Sequence, residues 1–167
     1  YLNQPEKTRE TIVNGWVHTG DVGEIDENGQ LKITDRMKDI IITAGGKNIT
    51  PSLFENELKF SPFVSDAVVI GDKRKYLSCL VMIDKENVEH HAQLHSIPFT
   101  DYRSLCARPE IVDLIELEVR KVNKRFSSAE QIKKFRLIDV LLTPEDEELT
   151  PTMKLKRSYV TNKYNGL

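Results

Sequence analysis

The sequence predicts a small α+β or α/β domain preceded by a β-hairpin, and three observations predict it. Short apolar runs, Val64 to Ile70, Leu77 to Ile83 and Lys134 to Val140, stand between longer segments of helical period. The clearest helix opens at Pro109, where Ile111, Ile115, Val119, Val122 and Phe126 follow a 3.6-residue spacing. Near the start, the turn residues Asp26-Glu27-Asn28-Gly29 separate two β-like segments, because Asn and Gly tolerate positive φ.

Taken in order, the first 15 residues are polar, with Thr8 to Val13 fitting a helix or a connector. Trp16 to Ile25 turns β-like, Gln30 to Ile33 alternates polar and apolar, and 22–34 reads as the hairpin. Asp35 to Asp39 is a charged connector, and Ile40 to Thr43 a short buried strand stopped by Ala44-Gly45-Gly46. Thr50-Pro51 has the grammar of a helix start, Thr as N-cap and Pro at the first helical position. That helix is expected to reach about Phe60, with Leu53, Phe54 and Leu58 inward. Asp84 caps a helix running to about His95, and Asp101 begins a further turn of helix. Pro144 to Glu148 reads as a solvated acidic loop, and Leu155 to about Tyr164 as a last short helix.

Composition narrows the function classes. Twenty-four Lys and Arg against 26 Asp and Glu leave a net charge of −2, far from the basic balance of a phosphate-neutralising nucleic-acid binder. No apolar run approaches the roughly 20 residues that span a bilayer, which predicts a soluble segment, and a cytoplasmic location is the separate expectation. Two cysteines, Cys79 and Cys106, are too few for a disulfide scaffold and suit a reducing compartment. The chain begins at Tyr1 rather than Met, so it is expected to be a piece of something longer.

Four segments are candidates for chemistry. His91 and His95 share a helix face, yet no third ligand is evident, so a solvated helix end is expected and no metal. Ala44-Gly45-Gly46-Lys47-Asn48 is not a Walker loop, which needs Gly-Lys-Ser/Thr at a helix start. Its paired glycines either make a plain turn or let backbone approach a ligand closely. Thr19-Gly20-Asp21 offers a carboxylate suited to a diol such as a ribose, or simply a turn carboxylate. Lys154, within Pro151-Thr152-Met153-Lys154-Leu155-Lys156-Arg157, reads on composition as part of a basic helix start facing water.

In combination these segments carry a resemblance. Trp16-x-x-Thr19-Gly20-Asp21, Asp35-Arg36-x-Lys38-Asp39-x-Ile41, Gly45-Gly46-Lys47-Asn48-Ile49-x-Pro51-x-x-x-Glu55 and Pro151-Thr152-x-Lys154-x-Lys156-Arg157 occur in one order. The chain resembles the C-terminal part of the adenylate-forming enzymes, and is most similar to long-chain fatty-acid CoA ligases. The closer likeness rests on Thr43 to Asn48 and on the extended segment from Phe99 to Phe135.

The resemblance implies an α+β fold, a β-hairpin plus a small mixed sheet packed with helices. It implies that residues 1–34 are the tail of a large N-terminal adenylation domain and that 35–167 form a mobile C-terminal domain. Fatty acid, ATP with Mg2+, and CoA are the implied substrates, and the N-terminal domain of the same chain is the implied partner. Peripheral membrane contact of the full-length protein is left open. Lys154 takes the position of the family's catalytic lysine, Asp21 and Arg36 the nucleotide-binding positions, and Lys38 the hinge. Gly45, Gly46 and Lys47 border the implied CoA channel. Lys38 stands where many members carry Asp, and Met153 where many carry Gly, which stiffens that loop. The fragment alone is expected to be inactive. A ligase loading a carrier protein, or a non-catalytic module keeping the fold, are the alternatives, and the basic loop Lys73-Arg74-Lys75 suits either a carrier or the phosphates of CoA.

Overall fold

The structure, a computed structural model, describes residues 1–143, 145–152 and 154–164. Two compact units divide between Ile40 and Ile41.

The first unit holds α1 (Pro5–Thr11), the paired two-residue strands β1 (Ile12–Val13) and β2 (Trp16–Val17), and the hairpin β3 (Asp21–Ile25) and β4 (Leu31–Arg36). The hairpin turn is closed by Asp26, whose Oδ1 accepts the amides of Asn28 and Gln30 at 2.9 and 2.8 Å, with Gly29 at φ +77°. The sequence places the hairpin's end at residue 34. Here β4 continues through Asp35 and Arg36, because Val22 and Asp21 still pair with them across the ladder. Only Met37–Asp39, a 3₁₀ turn, remains of the expected charged connector. None of residues 1–40 is buried, and Trp16, Ile25 and Leu31 are exposed.

The second unit begins with β5 (Ile41–Ile42) and β6 (Asn48–Ile49), an antiparallel pair around the glycine turn. Then come α2 (Pro51–Leu58), β7 (Val64–Ile70), β8 (Leu77–Ile83), α3 (Lys85–Leu94), α4 (Tyr102–Cys106), α5 (Pro109–Asn123), β9 (Ile132–Leu137) and α6 (Arg157–Lys163). The sheet runs β7-β8-β9, antiparallel on one side of β8 and parallel on the other. A parallel neighbour needs a long crossover, and α3 to α5 supply it.

Both faces of the sheet are covered, so β7 and β8 read as nearly unbroken apolar runs rather than alternating ones. Ala67, Val69, Cys79 and Val81 face a core shared with Phe54, Leu58, Val88, Leu105, Ile111, Ile115 and Val119. Val68, Ile70, Leu80 and Met82 face a second cluster closed by Ile138, Leu142, Leu149 and Val160. Ile138, Leu142, Leu149 and Val160 therefore form a packed layer over this face.

Several local expectations change. Leu53 is exposed, because in α2 the buried stripe falls on Pro51, Phe54, Glu55 and Leu58. Thr50 occupies the N-cap of α2 without a side-chain cap bond, whereas Asp84 and Asp101 accept the amides of Asn87 and Ser104 at 3.0 and 2.7 Å. Ile42 is exposed rather than buried. Within the acidic loop, Glu148 is buried and paired with Lys163, a partner that local composition does not reveal. Pro144, the start of that loop, lies outside the described residues.

Candidate active site

Three groups of candidate residues are each assembled locally. In the first unit Asp21 and Arg36 face each other across the hairpin ladder, Arg36 Nε lying 2.8 Å from Asp21 Oδ1. The Arg36 side chain is exposed and the Asp21 carboxylate half-buried. Lys38 is exposed within the 3₁₀ turn that follows.

In the second unit the glycine turn is closed by Thr43. Its carbonyl accepts the Gly46 amide at 2.8 Å, and its hydroxyl accepts the Lys47 amide at 3.2 Å. Gly46 sits at φ +74°, which favours glycine at that position. Gly45 is different. A Cβ built there comes no nearer than 3.9 Å to anything, the neighbour being Thr43 Oγ1, and its φ is not left-handed. Nothing inside the described chain requires glycine at 45, so the missing side chain leaves room on the outer side.

The Lys47 ammonium donates to Ser127 Oγ at 2.8 Å and lies 3.4 Å from Glu130 Oε2. The Ser127 hydroxyl and amide, with Lys47, hold the Glu130 carboxyl below the usual carboxylate range. The glycine turn is thereby tied to the loop after α5.

That turn also abuts a cavity the sequence outlined only in part. The Ala44 amide donates to the Arg74 carbonyl at 3.0 Å and the Lys73 amide to the Ile42 carbonyl at 2.8 Å. Lys73, Arg74, Lys75 and Tyr76 then form one wall of a cavity of about 500 Å³, with Lys134, Phe135 and Arg136 of β9 on the other. Lys134 Nζ sits over the Tyr76 ring, 5.7 Å from its centroid. Five cations and two aromatic rings in one concavity suit an anionic, aromatic ligand. The basic loop 73–75 signalled one wall. The other wall is some 60 residues away in the chain, reached only because β9 pairs in parallel with β8.

Lys154 occupies a third place. Leu149 and Leu155 form an isolated antiparallel bridge, and inside it the Thr150 amide donates to the Lys154 carbonyl at 2.8 Å. The Lys154 amide returns a bond to Thr150 Oγ1 at 3.1 Å. Lys154 is thus presented on a tight hairpin, its side chain exposed and its ammonium without a partner among the described residues. The expected helix start at Leu155 falls later, at Arg157, because Leu155 is spent on the hairpin bridge. Met153 lies outside the described residues.

The hairpin's base rests on the sheet. Leu149 and Val160 are fully buried, each contributing about 2 kcal/mol by apolar burial. Arg157 pairs with Glu55, both carboxylate oxygens at 2.7 Å from Nη2. Burial pushes the Glu55 carboxyl pKa up, against the opposing pull of the Arg157 guanidinium and the Val69 amide. The sequence marks Glu55 and Arg157 only as members of two motifs; the structure joins them.

The remaining chemistry-bearing side chains are quiet. The His91 ring stacks on His95 at 4.1 Å and meets Phe63 edge-on at 5.3 Å, while His95 Nδ1 lies 2.8 Å from the His91 carbonyl. Among the described residues no three His, Cys, Asp or Glu side chains cluster as a metal-ligand set. Both cysteines are buried, and burial raises the Cys106 thiol to about 11 and Cys79 higher still, so neither is a ready thiolate.

Known proteins place these features in one lineage. Over 165 residues the chain is 41% identical to the long-chain-fatty-acid–CoA ligase FadD15 of Mycobacterium tuberculosis, covering 98% of this chain and 28% of that protein. It is 36% identical over 186 residues to the long-chain-fatty-acid–CoA ligase ACSBG2 of Gallus gallus, covering all of this chain and 24% of that one. The chain thus spans about a quarter of the length of these relatives. Among solved structures, the adenylation domain of a carboxylate reductase from Mycobacterium chelonae superimposes with a TM-score of 0.78 at 27% identity, over 99% of this chain and 24% of that one. Residues 38–167 match the family described as AMP-binding enzyme C-terminal domain, and the chain belongs to that family.

Proposed function

We propose that this chain is the C-terminal part of an ATP-dependent acyl-CoA ligase acting on a long-chain fatty acid. In this reading residues 1–34 end a large adenylation domain and the remainder forms a mobile domain hinged at Lys38. The lack of any buried side chain in residues 1–40 supports assigning that stretch to a larger body. The fatty-acid carboxylate attacks the α-phosphate of Mg-ATP, releasing pyrophosphate and leaving acyl-adenylate. The CoA thiolate then attacks the acyl carbon and AMP departs with the bonding electron pair.

The observation that carries the proposal is the Lys154 ammonium: exposed, without a partner among the described residues, and mounted on a hairpin fixed at its base. A mobile point charge on such a mount can meet the negative charge that gathers at the α-phosphate during attack. Asp21 accepts the ribose hydroxyls and Arg36 stays beside the ribose and phosphate, the ion pair between them opening to do so. In the second half the Gly45-Gly46 turn borders the pantetheine arm, and the basic cavity beside it takes the nucleotide end of CoA. A carrier protein brings a phosphopantetheine arm without that nucleotide, so the cavity favours CoA as acceptor.

The test uses the full-length protein with a long-chain fatty acid and Mg-ATP, offering CoA or a phosphopantetheinylated carrier. Thioester is expected with CoA, and Lys134→Glu with Arg136→Glu is expected to raise KM for CoA by about tenfold or more, the equivalent of one lost charge-assisted bond. Turnover with the carrier alone, or an unchanged KM in the folded double variant, would overturn the reading.

A further inference from the structure

Asp66 is a buried carboxylate in the middle of an apolar strand. It is 7% exposed, on β7 between Val64 and Val68, where a hydrophobic side chain would pack without desolvation cost. At this point the register of β7 on β8 slips, a bulge between Val64 and Asp66. Bulges re-aim a side chain, and this one sits in the β7–β8 ladder, on a strand whose other side has no neighbouring strand in the sheet.

Both carboxylate oxygens are used. Oδ1 accepts the Ala67 amide at 2.9 Å and faces Lys59 Nζ at 3.3 Å. Oδ2 accepts the amide of Leu155 at 2.9 Å. Leu155 directly follows Lys154, and its amide points away from the hairpin's own bonds, which tie Thr150 to Lys154 and Lys156 to Glu148 at 2.7 Å. Two residues further on, the Glu55 and Arg157 pair fixes the same segment to Val69. Remove the Asp66 contact and the attachment to β7 nearest Lys154 is lost, leaving the Arg157 anchor two residues further on.

Building on the ligase reading above, we propose that Asp66 is a positioning residue for Lys154, setting the height of the lysine hairpin over the sheet edge through the Leu155 amide. The Lys154 backbone then moves as one body with β7, so the ammonium arrives at the α-phosphate with its stem already placed. Asp66 contributes to the adenylation half-reaction and not to thioester formation, in which Lys154 takes no part.

The experiment compares half-reactions of the full-length protein. Asp66→Asn keeps the shape but gives one of the two amides a donor in place of an acceptor. Pyrophosphate exchange is expected to fall on the order of 10- to 100-fold in kcat with KM for ATP within about twofold, as a small misplacement would do. Thioester formation from preformed acyl-adenylate is expected to stay within about twofold. Lys59→Met removes the neighbouring cation and leaves both halves unchanged. Equal loss of both halves, or no loss in a folded Asp66→Asn, overturns the proposal. If that variant fails to fold, Asp66→Ser is measured in the same way.

Independently of any variant, the Leu155 amide of the wild-type protein is expected to exchange with deuterium as slowly as the Val81 amide in the central strand; fast exchange there overturns the proposal too. Lys154→Ala run alongside separates the two levels. If it spares adenylation, the ligase mechanism fails. If it abolishes adenylation while folded Asp66→Asn does not, only the positioning role fails.

Discussion

Arg157 Nη2 reaches both carboxylate oxygens of Glu55 at 2.7 Å, and its Nη1 donates to the Val69 carbonyl at 2.8 Å. The Val69 amide in turn donates to Glu55 Oε1 at 2.7 Å. One ion pair thus satisfies both backbone groups that Val69 turns to the open edge of β7. An edge strand left with bare amides and carbonyls invites wrong pairing, and here a carboxylate and a guanidinium fill that place. The pair also fastens α6, and with it the lysine hairpin, to α2 and the sheet.

Breaking this pair from one side is expected to be costly. Arg157→Ala leaves the buried Glu55 carboxylate uncompensated, a loss of about 3 kcal/mol or more in denaturant unfolding. The pH dependence has a definite sign. Folding already raises the Glu55 pKa through burial, and loss of Arg157 removes the largest opposing influence. A raised folded pKa gives stability that is present below the unfolded value, about 4.3, and is lost as pH rises through the folded one. The Arg157→Ala penalty should therefore be larger near neutrality than in mild acid, and Glu55→Gln in the same background should remove the difference. A penalty independent of pH would contradict this.

Gly45 separates fold from function. Because a Cβ at 45 meets open space at an ordinary φ, Gly45→Val is expected to leave unfolding stability within about 0.5 kcal/mol. In the full-length protein the same change should slow thioester formation by about tenfold or more while sparing adenylation, since only the pantetheine arm needs that space. Loss of stability, or equal loss of both halves, would count against the channel.

Asp101 should supply an acid-sensitive contribution of opposite sign. The Ser104 amide and hydroxyl hold its carboxyl below the usual range, in a capping box that starts α4. A lowered folded pKa gives stability that is present above the unfolded value, about 3.9, and is lost as pH falls through the folded one. Melting temperature followed into acid should drop less steeply for Asp101→Ala than for the parent. Parallel curves would contradict the assignment.

The sheet was legible because its two longest strands are apolar runs with clear punctuation. Val64–Ile70 ends at Gly71, and Leu77–Ile83 ends at the cap Asp84, so the expected and observed bounds agree. The short strands were harder. Ile41–Ile42 pairs over two residues only, and the partner of the Ile42 amide is a turn 30 residues away, where Asp72 Oδ1 accepts it. At the candidate site, Lys154 and the glycine turn were visible as local motifs. What supports them was not, because Asp66, Glu55 and Glu148 find their partners across 89, 102 and 15 residues of chain. The local signals were a carboxylate inside an apolar run, as at Asp66, and the motif membership of Glu55.

Lys154 carries the central claim, and the direct measurement is its effect on the two half-reactions of the full-length protein. With Lys154→Ala, fatty-acid-dependent pyrophosphate exchange is expected to fall by at least about a hundredfold, a loss of some 2.7 kcal/mol of transition-state stabilisation. Conversion of preformed acyl-adenylate to the CoA thioester should continue near the parental rate. Undiminished pyrophosphate exchange in the folded variant would contradict the claim outright.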